Sequence, residues 1–223
     1  MFKSPTTQRL ICRTTWIMAW FATVVGQLHA LARHATVDGK SDLDLPLTSA
    51  WSVPASRALR PLLDWAEPQT VYVTYGKIWL PVFVAFTLCA FVLYHRRNPV
   101  GFEKWAWRLA LTGYVIATLS VFGDYYTPWI DQSFMFLGMP GLLLTALGST
   151  ILGIALLKNH FRPRITGLLL VGFIPLFMAI TEVTSMGSAI LPVIWALAIA
   201  GRRVTREVTE SEVESSQLWI STT

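Results

Sequence analysis

The sequence predicts an all-α integral membrane protein: a six-transmembrane-helix bundle with N and C termini cytoplasmic and one long outer loop between helices 1 and 2. Three observations carry that expectation. Only 14% of the 223 residues are charged and 53% are hydrophobic, against roughly 25% charged in an ordinary soluble domain. The apolar residues fall in long blocks, of which residues 134–157 contain no charge at all and exceed the roughly 20 residues needed to cross a bilayer. The third observation, the distribution of Lys and Arg, emerges once the elements are placed.

Helix 1 is predicted over about 14–32, on "TTWIMAWFATVVG", preceded by Lys3, Arg9 and Arg13. "ALA" at 30–32 resembles a signal-peptidase site, and cleavage there would leave five helices; an uncleaved anchor is the reading adopted. The outer loop, 33–77, begins with "DGKSDLDLPLTS", whose Asp, Gly, Ser and Pro read as a flexible, turn-rich stretch. "SRALRPLLDWAEP" then sets Leu59, Leu62, Leu63 and Ala66 at helical spacing, with Ser56 as the N-cap candidate unless the helix begins at Pro61. Arg57, Arg60 and Trp65 suit a short helix on the membrane surface. "QTVYVTYG" alternates like a strand, without an evident partner strand.

Helix 2 (78–95) and helix 3 (105–123) are the blocks "IWLPVFVAFTLCAFVLY" and "LALTGYVIATLSVFG". The turn after them, "GDYYTPWID", holds two carboxylates and no cation. Helix 4 (134–157) carries small residues four apart, Ala146/Thr150 and Ser149/Gly153, the spacing that lets helices approach closely. Gly138, Pro140 and Gly141 should loosen its outer end. The stretch 166–201 is too long for one crossing and is interrupted by Glu182 in "TEVTSMGS", so it divides into helix 5 (165–181) and helix 6 (186–201). Residues 1–201 thus form a single membrane domain. The tail, 202–223, mixes acids, Ser and Thr and is expected to be disordered.

With six helices, 13 of the 18 Lys and Arg fall on one side and the remaining five lie in the loop 33–77. The acids divide as five on the cationic side, giving it a net +8, and eight on the other, giving −3. Cations near helix ends favour the cytoplasm, which orients the bundle and suits anionic lipid headgroups. The overall +5 therefore points to membrane lipids and not to nucleic acid. Trp16, Trp79, Trp105, Trp107 and Trp129 fall at helix boundaries and suit the interfacial aromatic belt. Arg108 suits a snorkelling role. Cys12 and Cys89 form no C-x-x-C and read as small packing residues.

Signatures of known chemistry are missing. There is no H-E-x-x-H, G-x-S-x-G, P-loop or Rossmann fingerprint. The four histidines divide between the two faces, His29 and His34 against His95 and His160, which argues against a haem pair; no cofactor is identified and no metal site is assigned. What remains is a set of polar residues gathered by topology at the outer ends of the helices: Gln27, His29 and His34, Asp124, Tyr125 and Tyr126, Asp131, Thr181 and Glu182, and Tyr75. Acids and imidazoles from separate helices can converge there on a ligand or act as acid and base. Glu182, Asp124, His29, Tyr126 and Tyr75 are the ligand-binding candidates, with Glu182 foremost because an acid in a membrane segment is costly unless paired.

The leading expectation is a non-enzymatic multi-pass membrane protein that binds a lipid or small hydrophobic ligand, or serves as an accessory subunit of a membrane complex. Two alternatives stand beside it. One is a membrane-embedded lipid- or isoprenoid-modifying enzyme using Glu182, Asp124 and His29. The other is a small proton-coupled transporter with Glu182 as its coupling acid. The partners expected are membrane lipids, with a membrane-protein partner or a second copy of the chain, and the location expected is the plasma membrane of a bacterium.

Overall fold

Five helices are long and apolar enough to cross a membrane, Pro5–His34, Pro68–Arg97, Gly101–Tyr126, Ile130–Lys158 and Met186–Glu207, and a sixth apolar segment is bent by 61° between Arg164–Val171 and Phe173–Thr181. The computed structural model describes residues 4–221, with side chains described through 207. The chain is 85% helical, with no strand among the described residues. In order the elements are α1 (Pro5–His34), a 3₁₀ turn (Lys40–Asp44), α2 (Pro46–Ala58), α3 (Arg60–Leu63), α4 (Pro68–Gly76), α5 (Trp79–Arg97) and α6 (Gly101–Tyr126). After these come α7 (Ile130–Ser133), a π-helical turn (Phe134–Gly138), α8 (Met139–Lys158), α9 (Arg164–Val171), α10 (Phe173–Thr181), a second 3₁₀ turn (Met186–Ile190) and α11 (Leu191–Ser221).

Side-chain bonds between helices fix their directions. Thr15 of α1 donates to the Ala85 carbonyl of α5 at 2.8 Å, and Thr87 pairs with Thr118 of α6 at 3.1 Å. Tyr114 of α6 meets Ser149 of α8 at 2.9 Å, and Thr166 of α9 donates to the Ala196 carbonyl of α11 at 3.1 Å. Trp195 closes the ring by donating to Thr23 of α1 at 3.0 Å. In an apolar surrounding such hydroxyls need partners, and they find them on neighbouring helices. α1 packs antiparallel to α5 and α11, and α6 antiparallel to α8.

The outward faces are as apolar as the core. Val115, Leu119 and Phe122 on α6 and Leu143, Leu147 and Ile154 on α8 are all exposed. An exposed apolar surface of this extent needs an apolar medium or a partner to cover it.

Helix approach is closest between α6 and α8. A Cβ on Gly148 would stand 2.7 Å from the Ala110 Cα, so no other residue fits without parting the backbones. The small-residue face is rotated from the pairs picked out by spacing. Gly141, Thr145, Gly148 and Ser149 are buried, while Ala146 and Thr150 are only half-buried and Gly153 faces α9. Thr145 and Gly148 bring their backbones against Gly113 and Ala110, which decides the face.

At one end of the bundle, the arginine end, Glu103 is buried yet accepts from Arg97 at 2.6 Å and from the Asn159 amide. Arg96 lies 3.7 Å from Glu207, and the Arg202 guanidinium covers Trp16 at 4.5 Å. Arg108 is exposed at the same end. Cys12 and Cys89 are fully buried with their sulfurs 4.0 Å apart, as neighbours in the α1–α5 packing.

Several local expectations need correcting. In the stretch 38–49 the turn and 3₁₀ backbone ends at Leu45, and α2 begins at Pro46; Ser56 lies inside α2 and caps nothing, and Pro61 lies in the first turn of α3. "QTVYVTYG" is helix α4, not a strand. Its alternation is too short to tell strand from helix, no strand partner exists among the described residues, and Pro68 in the first turn presets a helix. Helix α11 does not end at 201 but runs on as helical backbone to Ser221. The sequence there is polar but rich in good helix formers, and Arg203 pairs with Glu207 one turn on at 2.8 Å. Trp79 and Trp107 are not interfacial: both are buried at 2% or less exposure, unlike Trp105 and Trp129.

Candidate functional site

At the other end of the bundle, the loop end, the termini of α1, α6 and α10 and the starts of α5, α8 and α11 meet under the segment 33–77. Gln27 ties α1 to the turn after α10, accepting from Thr184 at 3.3 Å and reaching Ser188 at 3.5 Å. Tyr126 donates to the Lys77 carbonyl at 3.0 Å, joining α6 to the start of α5. From the segment 33–77, Thr48 donates to the Glu182 carbonyl and Trp51 to the Val183 carbonyl, so α2 is anchored over that turn.

Between these elements is a cavity of about 340 Å³. Its deeper wall is apolar, with Phe83, Ala117, Val121, Leu142 and Ile190. Its upper wall is aromatic and polar, with His29, Tyr72, Trp79, Asp124 and Tyr125. From Asp124 to Ala117 is seven residues along α6, a depth of roughly 10 Å at the helical rise of about 1.5 Å per residue. Arg33, Asp38, Gln69 and Asp131 lie around the mouth.

His29 is the centre of the upper wall. It is 2% exposed. Its ring stacks on Tyr72 at 4.7 Å and meets Trp79 and Tyr125 edge-on at 6.1 and 5.5 Å. The Trp79 indole N–H donates to Nδ1 at 3.1 Å, and Nε2 lies 3.1 Å from the Tyr125 hydroxyl. An indole N–H can only donate, so Nδ1 is the acceptor and the imidazole proton sits on Nε2. Nε2–H then donates to Tyr125, whose own proton is free to point on towards Tyr72, 3.4 Å away. The bonds run in one direction, from Trp79 through His29 and Tyr125 to Tyr72.

A close approach sets the Tyr125 ring. It lies against Gly76 at the end of α4, where any Cβ would collide with the ring carbons. α4 also supplies Tyr72, and so both the stacking ring and the room for Tyr125 come from the segment that alternation alone suggested was a strand.

Asp124 is half-buried, and its Oδ2 accepts from Ser120 at 3.2 Å. Its Oδ1 is enclosed and has no hydrogen-bond partner. Ser133 lies close by, but its hydroxyl donates to the Ser120 carbonyl at 3.0 Å. Two further cavity residues, Thr145 and Ser185, are buried at 1% and 2% exposure with hydroxyl oxygens that find no partner in the protein. Buried polar atoms are nearly always paired; three that are not belong to residues lining this cavity, while Ser52, Trp107 and Thr150 carry others elsewhere in the bundle.

Of the five candidates from the sequence, His29 and Asp124 line the cavity. Glu182 does not: it is exposed at the end of α10, and its backbone carbonyl is what Thr48 engages. Tyr126 is exposed and bonded to Lys77. Tyr75 donates to the Leu62 carbonyl at 2.8 Å, bracing the segment 33–77 outside the cavity. His34 is buried near the mouth with neither ring nitrogen bonded. Among the described residues no group of three or more His, Cys, Asp or Glu is placed to hold a metal ion. A second depression, about 540 Å³, lies open on the apolar flank beside Leu119, Phe122 and Phe136 and holds no charged side chain.

Tyr72, Trp79, Ser120, Thr145 and Ser185 did not emerge from the sequence as site residues. Trp79 stands where an interfacial anchor would, and the small hydroxyls sit within apolar runs where packing explains them equally well. Compared with known protein families, curated proteins and solved structures, the chain matches none of them. Fold and site together describe an all-helical chain with several helices apolar enough to cross a membrane and an aromatic-rimmed cavity at one end of its bundle.

Proposed function

We propose that the chain is a multi-pass membrane protein with six crossings and both termini cytoplasmic, whose cavity binds a lipid or another small amphipathic ligand entering from the outer side. The observation that supports this most is the cavity itself: an apolar depth beneath a polar rim, with unpartnered polar atoms on Asp124, Thr145 and Ser185. Ligand sites are commonly apolar cavities of this size with a few placed polar groups. The orientation rests on the cations, since Arg96, Arg97, Arg202 and Arg203 share the end opposite the cavity.

The enzyme alternative needed Glu182, Asp124 and His29 to converge. Glu182 points elsewhere, and both His29 nitrogens are engaged by Trp79 and Tyr125, which favours binding over acid–base work. The transporter alternative named Glu182 as its coupling acid, and its place outside the cavity supports that reading less than it supports binding.

Native mass spectrometry on protein released gently from its own membrane tests the proposal. A small molecule retained by the natural chain and absent from Leu142→Trp, which fills the cavity, is the expected result. Wild type and Leu142→Trp carrying identical adducts, or a bare chain bound only to another protein, would overturn it.

A further inference from the structure

We infer that the ligand's polar end is an ammonium group: the cavity is built for an amphipathic amine rather than an alcohol or an acid. This inference rests on the ligand-binding reading above and names the chemistry of what is bound.

Charge comes first. The charged side chains lining the cavity are Asp38, Asp124 and Asp131 against Arg33 alone. Arg33 is paired through its Nε with Asp42 at 2.9 Å, which offsets part of its field. A carboxylate-bearing ligand would meet three acids against one ion-paired arginine; an ammonium would meet the three acids as counter-charges. The low-dielectric wall of Phe83, Val121 and Leu142 strengthens whichever interaction results.

Hydrogen-bond valence agrees. Asp124 as carboxylate only accepts. Oδ2 has its donor in Ser120, while Oδ1 has none. Asp124 lines the cavity, and its carboxylate can turn about its terminal torsion to meet a donor held there. The Thr145 and Ser185 hydroxyls can accept as well. An ammonium is donor-only, which makes it the complement of the Asp124 carboxylate; a carboxylate ligand would set like charge against it.

The aromatic wall gives a third, independent argument. His29 occupies one face of Tyr72, while Tyr125 and Phe134 also line the cavity. Ring faces attract cations, and they are indifferent or unfavourable to anions. Small polar neutral ligands gain little from either the acids or the rings.

Ammonium groups with apolar tails have two sources, free lipophilic amines and aminophospholipids. The test uses the full chain in maltoside micelles and a matched series: decylammonium, decanol and decanoate, each titrated calorimetrically against wild type, Leu142→Trp, Asp124→Asn and Asp131→Asn. The expected result is that wild type prefers decylammonium by about tenfold or more, the worth of one charge-assisted bond with cation–π support. Leu142→Trp should abolish binding, and Asp124→Asn should remove the preference while decanol binding persists. Equal binding of all three compounds by wild type, or an unchanged preference in both Asn variants, would overturn the inference and leave the ligand-binding reading standing. Absence of any binding beyond that of Leu142→Trp would overturn both. Dihexanoyl phosphatidylethanolamine, with dihexanoyl phosphatidylglycerol as control, separates the sources. Displacement of decylammonium by the former alone supports an aminolipid; displacement by neither supports a free amine.

Discussion

The indole of Trp79 donates to Nδ1 of His29 across 3.1 Å, in a contact where both residues are no more than 2% exposed. This one bond fixes the imidazole tautomer, and with it the direction of every hydrogen bond from Trp79 to Tyr72. Trp79→Phe would keep most of the ring packing but strand a buried acceptor, at a cost of about 1–3 kcal/mol. Reversible unfolding in mixed maltoside and dodecyl sulfate micelles measures it. Trp105→Phe, at a 63% exposed site, is the control and should change stability by less than about 0.5 kcal/mol. Equal effects from the two substitutions would show that the Trp79–His29 bond is not a structural determinant.

The α6–α8 contact yields a sharper prediction. Gly148 presses on the Ala110 backbone, where a Cβ has no flexible side chain to displace. Gly148→Val should therefore separate the helices and destabilise the fold by about 1–3 kcal/mol or more. Ala146→Val, one turn-face away at a half-buried position, should be tolerated. If Ala146 proves the sensitive position, the helix face assigned to the contact is wrong.

The all-helical, apolar character of the chain was legible in the sequence because hydrophobic length acts on whole segments: no single residue decides whether 134–157 is an apolar helix. The site was only half legible. His29 and Asp124, which line the cavity, stand out in the sequence because a polar residue in an apolar helix end does. Tyr72 was not, since its role depends on α4 folding back against α1, and Glu182 misled because an acid's position in the sequence does not reveal whether its side chain turns inward. Trp79 was misread for a physical reason too: a tryptophan at a helix end serves equally as an interfacial anchor or as a buried donor, and only the presence of His29 across the bundle distinguishes them.

The pair at the arginine end should respond asymmetrically. Glu103 is 5% exposed in its side chain, whereas Arg97 is 30% exposed and reaches water. Removing the arginine leaves the buried carboxylate without its counter-charge, so Arg97→Met should cost about 3–5 kcal/mol. Glu103→Gln leaves behind an arginine that can turn outward and should cost less. Unfolding in mixed micelles ranks the two, and the reverse order would show that the carboxylate is not the group at risk.

Cys12 and Cys89 should behave as one packed unit. Both are fully buried, with sulfurs 4.0 Å apart and Gly201 seated against them. In the folded chain neither should react with N-ethylmaleimide over hours, and both should react within minutes in dodecyl sulfate. Mass spectrometry counts the adducts. Rapid labelling of one cysteine alone in the folded state would mean that the α1–α5 contact opens locally.

The anchoring of α2 bears on how a ligand reaches the cavity. Thr48 and Trp51 hold this helix to the carbonyls of Glu182 and Val183, three and two residues before Ser185 in the cavity wall. Arg57 lies exposed in the last turn of α2, where trypsin can cut only if the helix opens. Thr48→Val with Trp51→Phe removes both donors, which at about 1 kcal/mol each should raise the open population, and with it the cleavage rate at Arg57, roughly tenfold or more. Arg60 serves poorly as a reporter because Pro61 follows it. Saturating decylammonium should slow cleavage in the wild type if α2 closes over an occupied cavity, and the double variant should lose that protection. Cleavage at the same rate in wild type and double variant would mean that α2 is held by its apolar contacts, and that these two hydrogen bonds do not control entry.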